Sequence, residues 1–267
     1  MITINTDPII FSLGHFALHW YSLIVLGAIS LGVWVTTREA ERKGFRKEDV
    51  YDNVIWVVMG GILGARLFHV IDHWHMFSAN PIRALFIWEG GLAIWGGVFG
   101  GLLSVSVLAW RRGWYLPRLL DMVAPGLVLG QGIGRLACII TGDAMGQPTT
   151  GPFGFAYTSP RAMVPQSGVY YAPTPVYESL INLTIFFLLW RLRRRLLPDG
   201  LLTLIYLTLY SAGRFAVAYT SSYRVVLAGL TQSQVISLVT LLIVIPLSWY
   251  LWKNRTTAAS FGEARQG

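Results

Sequence analysis

Seven long apolar stretches constrain this chain more than any other feature of its sequence. A helix needs roughly 17–25 mostly apolar residues to cross the hydrocarbon core of a bilayer. Of the 267 residues, 54% are hydrophobic and only 13% are charged, whereas about a quarter of the residues in soluble domains are charged. We therefore predict an all-α integral membrane protein with about seven transmembrane helices. The predicted spans are residues 18–37, 50–71, 92–110, 119–141, 175–190, 200–219 and 232–252.

Basic residues are distributed unevenly between the segments that connect these spans. If the N-terminus lies outside, the inner loops and the C-terminal tail hold 15 of the 21 lysines and arginines, and the outer loops hold 3. Cytoplasmic loops of membrane proteins are the ones enriched in Lys and Arg, so we predict an N-out/C-in orientation. The chain is expected to form a single polytopic membrane domain over residues 1–267, with an outer loop region at 142–174.

This asymmetry also accounts for most of the formal net charge of +8. Basic inner loops are attracted to anionic lipid headgroups, so we expect membrane lipids as partners and no nucleic acid. The chain has one cysteine, Cys138. A single cysteine excludes an internal disulfide and a CxxC metal or redox site.

Three arginines, Arg66, Arg135 and Arg214, fall inside predicted spans. Each precedes the outer end of its span by about five or six residues, or about 8 Å of helix, and follows small residues in the strings GGILGAR, GQGIGR and SAGR. Snorkelling to the headgroups and close helix packing are the alternative explanations. An ionisable residue within the membrane favours a functional interpretation, and guanidinium offers a planar fork of donors to phosphate. We therefore predict that the three arginines converge on a lipid phosphate.

The string HVIDHWH places His69 and His73 on one helical face, a spacing that can bind zinc. Asp72 or His75 would have to supply a third ligand, and no second cluster in the sequence supports a metal site. We favour a polar outer rim and expect no metal. Glu89, which precedes the glycines of the third span, could pair with a cation or lie in a re-entrant segment.

Several motifs, taken together, resemble those of the prolipoprotein diacylglyceryl transferases, integral enzymes of the bacterial inner membrane. The most specific is GRLACIITGDAMG at Gly134–Gly146. It matches the family signature GR-x-x-N-x-x-x-G-E/D-x-x-G, except that Cys138 stands in the place of Asn. The other motifs, which extend the resemblance to most of the chain, are LHWYSL, GGILGARLFHV, WEGGLAIWGG, PTPVYES and YSAGRF.

The resemblance implies a reaction and its partners. The diacylglyceryl group of phosphatidylglycerol would move to the thiol of the lipobox cysteine of a prolipoprotein, forming a thioether and releasing glycerol phosphate, the first step of bacterial lipoprotein maturation. It also implies signal peptides of prolipoproteins as partners, a multi-pass protein of the bacterial cytoplasmic (inner) membrane, and no cofactor. The alternative is a non-catalytic transporter or lipid-binding protein with an anion-binding cavity, although the sequence shows no clear repeat of the kind that transporters contain.

The resemblance also implies which residues form the site. Arg135 and Arg214 are expected to bind the phosphate and Tyr21 to orient the lipid or substrate, and these three are the expected catalytic residues. The outer loop region would receive the signal peptide. The other residues expected to bind or surround substrate are Arg66, Gly134, Asp143, Gly146, Tyr177 and Glu178.

The chain departs from the family pattern at positions that bear on proton transfer. Trp95 stands where many members have a histidine that has been considered the base. Ala172 and Pro175 replace a His and a Gln, and Ala218 replaces a Glu. These departures indicate either a divergent lineage with a rearranged proton path or a paralogue with altered activity. The open candidates for the proton acceptor are His69, Tyr21, Glu178 and Asp143.

Overall fold

The computed structural model describes residues 1–13, 16–78, 80–87, 90–223 and 225–263, so Glu89 lies outside the described residues. Most of the described chain is helical. The helices are α1 (Trp20–Arg42), α2 (Lys47–Asp72), α3 (Trp74–Phe77), α4 (Ile94–Arg112), α5 (Leu116–Thr141), α6 (Thr174–Leu192), α7 (Leu201–Val217) and α8 (Gln232–Glu263). The described strands, in pairs, are β1 (Ile2–Ile4) with β4 (Phe155–Tyr157), β2 (Ile9–Leu13) with β3 (Phe16–His19), and β5 (Val225–Leu227) with β6 (Leu230–Thr231).

The predicted class is confirmed: this is a mostly helical protein with several helices suited to a bilayer. Within the described residues, six helices are long and apolar enough to cross a membrane. They are α1, α2, α4, α5, α8 and α7 with the 3₁₀ turn that extends it to Thr220. Each coincides with one of the predicted spans. The N-out/C-in orientation stays a prediction.

Helix α6 coincides with the remaining predicted span. Its 19 residues would reach about 28 Å, so its length is sufficient. Its buried residues include Glu178, Ser179 and Asn182. Polar side chains that face protein do not contact lipid, so a helix surrounded by its neighbours can carry them. The total of seven spans therefore stays a prediction.

The chain forms two compact units, and α1 and α5 each contribute residues to both. The first unit consists of Met1–Thr36 and Val123–Gly267, and the second of Thr37–Met122. We predicted a single polytopic membrane domain over residues 1–267, and this stays a prediction.

In the second unit, α2 packs against α4 through glycines. A Cβ atom on Gly64 would lie 2.8 Å from the Cα of Gly100 and would also meet the carbonyl oxygen of Gly96. Only residues without a side chain allow two helix backbones to approach so closely. The glycines of the string GGILGAR therefore serve helix packing here. Helix α4 ends at Arg112, and the next residue, Gly113, has the left-handed φ of 66° that favours glycine after a helix.

In the first unit, α5, α6 and α7 share a core. Its buried residues include Val128 on α5, Leu189 on α6 and Leu202 on α7. Tyr206 also belongs to this core, and its hydroxyl group donates to Oε1 of Gln131 over 3.0 Å. The core fixes the three helices relative to one another, and these helices carry the candidate site.

The loop between α5 and α6 is folded against the N-terminal strand. Strand β1 pairs in parallel with β4, with Ile4 opposite Tyr157. Tyr157 is fully buried, and its hydroxyl group donates to the carbonyl oxygen of Ile139, in the last turn of α5, over 2.7 Å. Burial raises the pKa of this hydroxyl group above its ordinary value. The segment 142–174 is therefore an ordered module that is tied to the end of α5.

An ion pair joins the N-terminal segment to the same module. Arg161 Nη1 lies 2.7 Å from Oδ2 of Asp7. The backbone N–H of Ile9 donates to the other carboxylate oxygen over 2.9 Å. The Ile9 hydrogen bond and, to a smaller extent, Arg161 lower the pKa of Asp7. Both contacts favour the charged carboxylate over its protonated form.

Candidate anion-binding site

Two of the three predicted arginines meet at one carboxylate. Nε of Arg135, on α5, lies 2.5 Å from Oε2 of Glu178 on α6. Nη1 of Arg214, on α7, pairs with Oε1 of the same carboxylate. Glu178 therefore stands between the two guanidinium groups, with one oxygen for each. We refer to Arg135, Glu178 and Arg214 as the ion triad.

Small residues bring the three helices close enough for these side chains to meet. Oγ of Ser179 donates to the carbonyl oxygen of Gly132 over 2.8 Å, which joins α6 to α5. A Cβ atom on Gly213 would lie 2.5 Å from Cγ2 of Ile181 on α6, so a larger residue could not occupy this position without displacement. Gly213 immediately precedes Arg214, and Gly132 lies three residues before Arg135. The small residues in GQGIGR and SAGR thus position the arginines.

The ion triad is largely withdrawn from solvent and has a net charge of +1. The Glu178 side chain is 7% exposed, that of Arg214 is 18% exposed and that of Arg135 is 30% exposed. A buried carboxylate is tolerated only when cations or hydrogen bonds compensate it. A guanidinium group has five N–H donors, so contact with one carboxylate oxygen leaves donors for a second anion. The geometry is therefore suited to a monoanion that approaches from the exposed side of Arg135.

Tyr223 covers Arg214. Nη2 of Arg214 donates to the Tyr223 hydroxyl oxygen over 3.3 Å, and Cζ of Arg214 lies 5.3 Å from the centroid of the ring. Tyr223 is not among the residues predicted from the sequence. A tyrosine in a loop next to a span is usually an interfacial anchor, and nothing in the string TSSYRV distinguishes it from one.

Tyr21 and Asp143, both predicted site residues, lie in the region of Arg135 and Cys138. Tyr21, on α1, interacts electrostatically with Arg135, Asp143 and Cys138. Cys138 is buried one helical turn beyond Arg135 and interacts with its guanidinium group. Tyr21 is 45% exposed, so it lies where a substrate and the arginine can both reach it. The structure thus brings Tyr21 and Asp143 to the same end of α5 as the ion triad.

Gly146 holds together the ends of α6 and α7. Its N–H donates to the carbonyl oxygen of Ala172 over 2.9 Å. Oγ1 of Thr174, at the start of α6, lies 3.0 Å from Oγ1 of Thr220, which follows α7. A Cβ atom on Gly146 would meet Thr220, Thr174 and Ala172. No side chain fits here, and the role of this glycine is the close contact of three segments.

Gly134 and Tyr177, the other two predicted residues near the ion triad, are less closely packed than Gly146. A Cβ atom on Gly134 would meet nothing within 4 Å, so this glycine leaves open space beside Arg135. Tyr177, next to Glu178, is half-buried, and its N–H donates to the carbonyl oxygen of Pro173 over 3.3 Å.

Arg66, in the second unit, binds backbone carbonyl groups. Its Nε donates to Ala84 over 2.8 Å, its Nη2 to Arg83 over 2.7 Å, and its Nη1 to Gly90 over 2.5 Å and to Gly91 over 3.2 Å. Its side chain also lies over the ring of Phe77. These acceptors occupy the donors that we expected to bind phosphate. The contacts of Arg66 fix the described residues on either side of a gap, 83–87 and 90–91, and no pattern in the sequence predicted these contacts.

The predicted histidine cluster forms stacked rings. The ring centroids of His69 and His73 are 4.4 Å apart, and Nδ1 of His73 lies 3.4 Å from Oδ2 of Asp72. In the part of the chain that the structure describes, no group of three or more His, Cys, Asp or Glu residues is arranged to hold a metal ion. The His69 ring also packs against Gly91, where a Cβ atom would lie 2.5 Å from its Nε2.

Comparison with known proteins agrees with the resemblance seen in the sequence. The family model described as prolipoprotein diacylglyceryl transferase matches residues 8–250. A Geobacillus kaustophilus protein named phosphatidylglycerol–prolipoprotein diacylglyceryl transferase is 38% identical over 263 residues, which are 97% of this chain and 96% of that protein. Proteins of the same name are 39% identical over 235 residues in Bacillus mycoides (87% of each chain) and 36% identical over 258 residues in Gloeobacter violaceus (95% of each chain).

Proposed function

The chain belongs to the prolipoprotein diacylglyceryl transferase family, and we propose that it transfers the diacylglyceryl group of phosphatidylglycerol to the lipobox cysteine of prolipoproteins. This reaction is the first step of bacterial lipoprotein maturation. The observation that carries the proposal is the ion triad, which holds two guanidinium groups together at one end of three packed helices. That arrangement suits a phosphodiester whose bond to carbon is about to break.

The chemistry is a displacement at carbon. The cysteine sulfur of the prolipoprotein forms a bond to the glyceryl carbon, the bond between this carbon and the phosphate oxygen breaks, and glycerol phosphate leaves with the electron pair. The thiol proton goes to a base, because the thiolate is the nucleophile. Negative charge develops on the departing phosphate, so donors fixed in advance around it lower the barrier.

We assign this stabilisation to Arg135 and Arg214. Their helices and Glu178 fix both guanidinium groups before the lipid arrives, so little reorganisation is needed when charge develops. Arginine keeps its charge and offers two parallel donors to phosphate oxygens, which lysine cannot do. Tyr21 orients the lipid or the thiol, a role supported by its exposure and its interaction with Arg135.

The remaining predicted residues shape the space around the two arginines. Gly134 leaves open space on α5, which we assign to the lipid headgroup. Asp143 and Tyr177 lie at the ends of α5 and α6 and are proposed to contact the peptide. Gly146 holds the ends of the helices together. We propose that Arg66 orders residues 83–87 and 90–91 and does not bind phosphate directly, since four carbonyl oxygens already accept its hydrogen bonds.

This chain has Trp95 where many members of the family have a histidine that has been considered the base. Another residue therefore has to accept the thiol proton. Glu178 is poorly placed for the task because each of its oxygens already pairs with an arginine. Of the remaining candidates, Tyr21 and Asp143 interact electrostatically with each other near Cys138. We favour this pair as the route by which the thiol proton leaves.

We further propose that the enzyme works in the bacterial cytoplasmic (inner) membrane in the N-out/C-in orientation. The chain is a multi-pass membrane protein, and its relatives are bacterial. In this orientation the ion triad lies toward the outer leaflet, and the ordered module at 142–174 would receive the signal peptide of the prolipoprotein. Glycerol phosphate would leave on the same side.

The test is a transfer assay with the purified full-length protein in vesicles of phosphatidylglycerol and a synthetic lipobox peptide. We expect the peptide to gain the mass of one diacylglyceryl group, and a peptide with Ser in place of the lipobox cysteine to gain none. Failure to form the adduct with phosphatidylglycerol or any other common anionic phospholipid would refute the transferase and favour a protein that only binds or moves lipids.

A further inference from the structure

The charge of the ion triad is set by Glu178. Arg135 and Arg214 alone would carry two positive charges, and the carboxylate between them reduces the total to one. All three side chains are at least partly withdrawn from solvent, and a unit of charge has a larger effect there than in water. Asp143 is a second carboxylate in this region, since it interacts electrostatically with Cys138, which also interacts with Arg135. Asp143 is exposed, so solvent screens its charge.

The proposed reaction changes the charge of the phosphorus group that binds here. Phosphatidylglycerol is a phosphodiester with one negative charge. When the carbon–oxygen bond breaks, the electron pair stays on phosphate, and the product is a phosphomonoester whose second pKa is about 6. Glycerol phosphate therefore carries close to two negative charges at neutral pH, while the thiol proton passes through the base to solvent. The site has to bind a monoanion and release a dianion.

We propose that Glu178 is a specificity-determining and positioning residue that matches the site to a single negative charge, so that the lipid phosphodiester binds and the dianionic product leaves. This inference rests on the proposed transferase function. Without the carboxylate, two unopposed guanidinium groups would match the charge of glycerol phosphate and retain it. The carboxylate also holds the two like-charged guanidinium groups side by side, and it acts on the substrate only through them.

The test compares two variants. Glu178→Gln removes the charge and retains the shape, whereas Glu178→Asp retains the charge and shortens the side chain. Binding of glycerol phosphate and of its methyl diester, a monoanion, is measured by calorimetry at about pH 8, where the monoester is a dianion. We expect Glu178→Gln to raise the preference for the dianion by about tenfold or more, and Glu178→Asp to leave it unchanged. A preference that is the same in Glu178→Gln and in the wild type would overturn the proposal, whatever happens to overall activity.

The wild-type protein provides a second measurement that does not depend on the folding of a variant. The proposal requires that wild-type protein bind glycerol phosphate, the dianion, less than about tenfold more tightly than its methyl diester. A stronger preference for the dianion overturns the proposal. Steady-state and single-turnover transfer are measured in parallel. Wild type that meets the binding expectation but transfers nothing would refute the proposed function and leave the charge assignment standing. Wild type that transfers but binds the dianion more than tenfold better would refute only the charge assignment.

Discussion

The guanidinium group of Arg214 lies beneath the ring of Tyr223, with 5.3 Å between Cζ and the ring centroid, and donates to its hydroxyl oxygen over 3.3 Å. A cation beneath an aromatic face gains electrostatic energy. Arg214 is thus contacted both by Glu178 on α6 and by Tyr223 in the loop that follows α7. This loop therefore takes part in orienting the arginine.

Two replacements of Tyr223 should distinguish the contribution of its ring from that of its hydroxyl group. Tyr223→Phe retains the ring and loses one long hydrogen bond, so kcat/KM should remain within about threefold of the wild type. Tyr223→Ala also removes the ring, and kcat/KM for phosphatidylglycerol should fall by about tenfold. The measurement is the transfer assay at several lipid concentrations. Equal losses in the two variants would show that the ring does not hold Arg214.

Loss of either arginine should abolish most of the transfer. Arg135→Ala and Arg214→Ala each remove a donor group that we propose stabilises the leaving phosphate, which should lower kcat by about 100-fold or more. Lysine at either position should restore part of the rate, because it supplies the charge without the planar fork. Arg191→Ala, in the last turn of α6, is the control and should retain wild-type activity. Full activity in either alanine variant would remove that arginine from the mechanism.

Gly146→Ala should lower stability, because the added methyl group would meet Thr220, Thr174 and Ala172. An overpacked contact typically lowers the free energy of unfolding by about 1–3 kcal/mol. The control is Gly101→Ala on α4, where a Cβ atom would meet nothing within 4 Å and alanine improves helix propensity. Thermal unfolding in detergent measures both variants. A Gly146→Ala melting temperature equal to that of Gly101→Ala would disprove the close contact.

Arg66→Gln should loosen the segment whose described residues are 83–87 and 90–91. The substitution removes hydrogen bonds from a buried cation to four carbonyl groups, a loss that we expect to cost about 2 kcal/mol or more. Hydrogen–deuterium exchange of the peptides that cover this segment should become faster. Arg83→Ala retains the backbone carbonyl that Arg66 contacts and should change exchange much less. The same exchange rates in Arg66→Gln and the wild type would show that these hydrogen bonds do not order the segment.

Acid should weaken the contact between Asp7 and Arg161. The pKa of Asp7 is lowered in the folded protein, so this carboxylate stabilises the fold above its ordinary value of 3.8 and loses that effect as the pH falls through the lowered pKa. Asp7→Asn should therefore be less stable than the wild type at neutral pH. The difference in melting temperature should shrink as the pH falls below the ordinary value. A difference that stays constant down to the acid limit would exclude titration of Asp7 as its cause.

Hydropathy predicted the helices well because apolar length is a local property. Helix α5 begins three residues before its predicted start and ends at the predicted Thr141. Helix α6 was the weakest prediction, since its buried Glu178 and Asn182 are polar. These residues are compatible with a span only because neighbouring helices surround them, and the sequence alone does not show which helices are neighbours.

The candidate site was predicted only in part, because the sequence alone does not show which side chains of different helices meet. The motifs pointed to Arg135 and Arg214, but nothing local indicated that Glu178 lies between them or that Tyr223 covers one of them. Arg66 follows glycines just as Arg135 does, yet its donors meet backbone carbonyl groups. Similar depth and neighbouring glycines in the sequence did not distinguish an arginine that binds backbone carbonyl groups from one that pairs with a carboxylate on another helix.

The parallel pairing of β1 with β4 has a consequence for the order in which this protein matures. Ile2 leaves the ribosome well before its partner Phe155, which is synthesised 153 residues later. Domains generally fold as they are made, but this strand has to wait unpaired while α1, α2, α4 and α5 enter the bilayer. The ordered module at 142–174 therefore cannot pair with β1 until it has itself been synthesised. Contacts of such long sequence separation also form slowly.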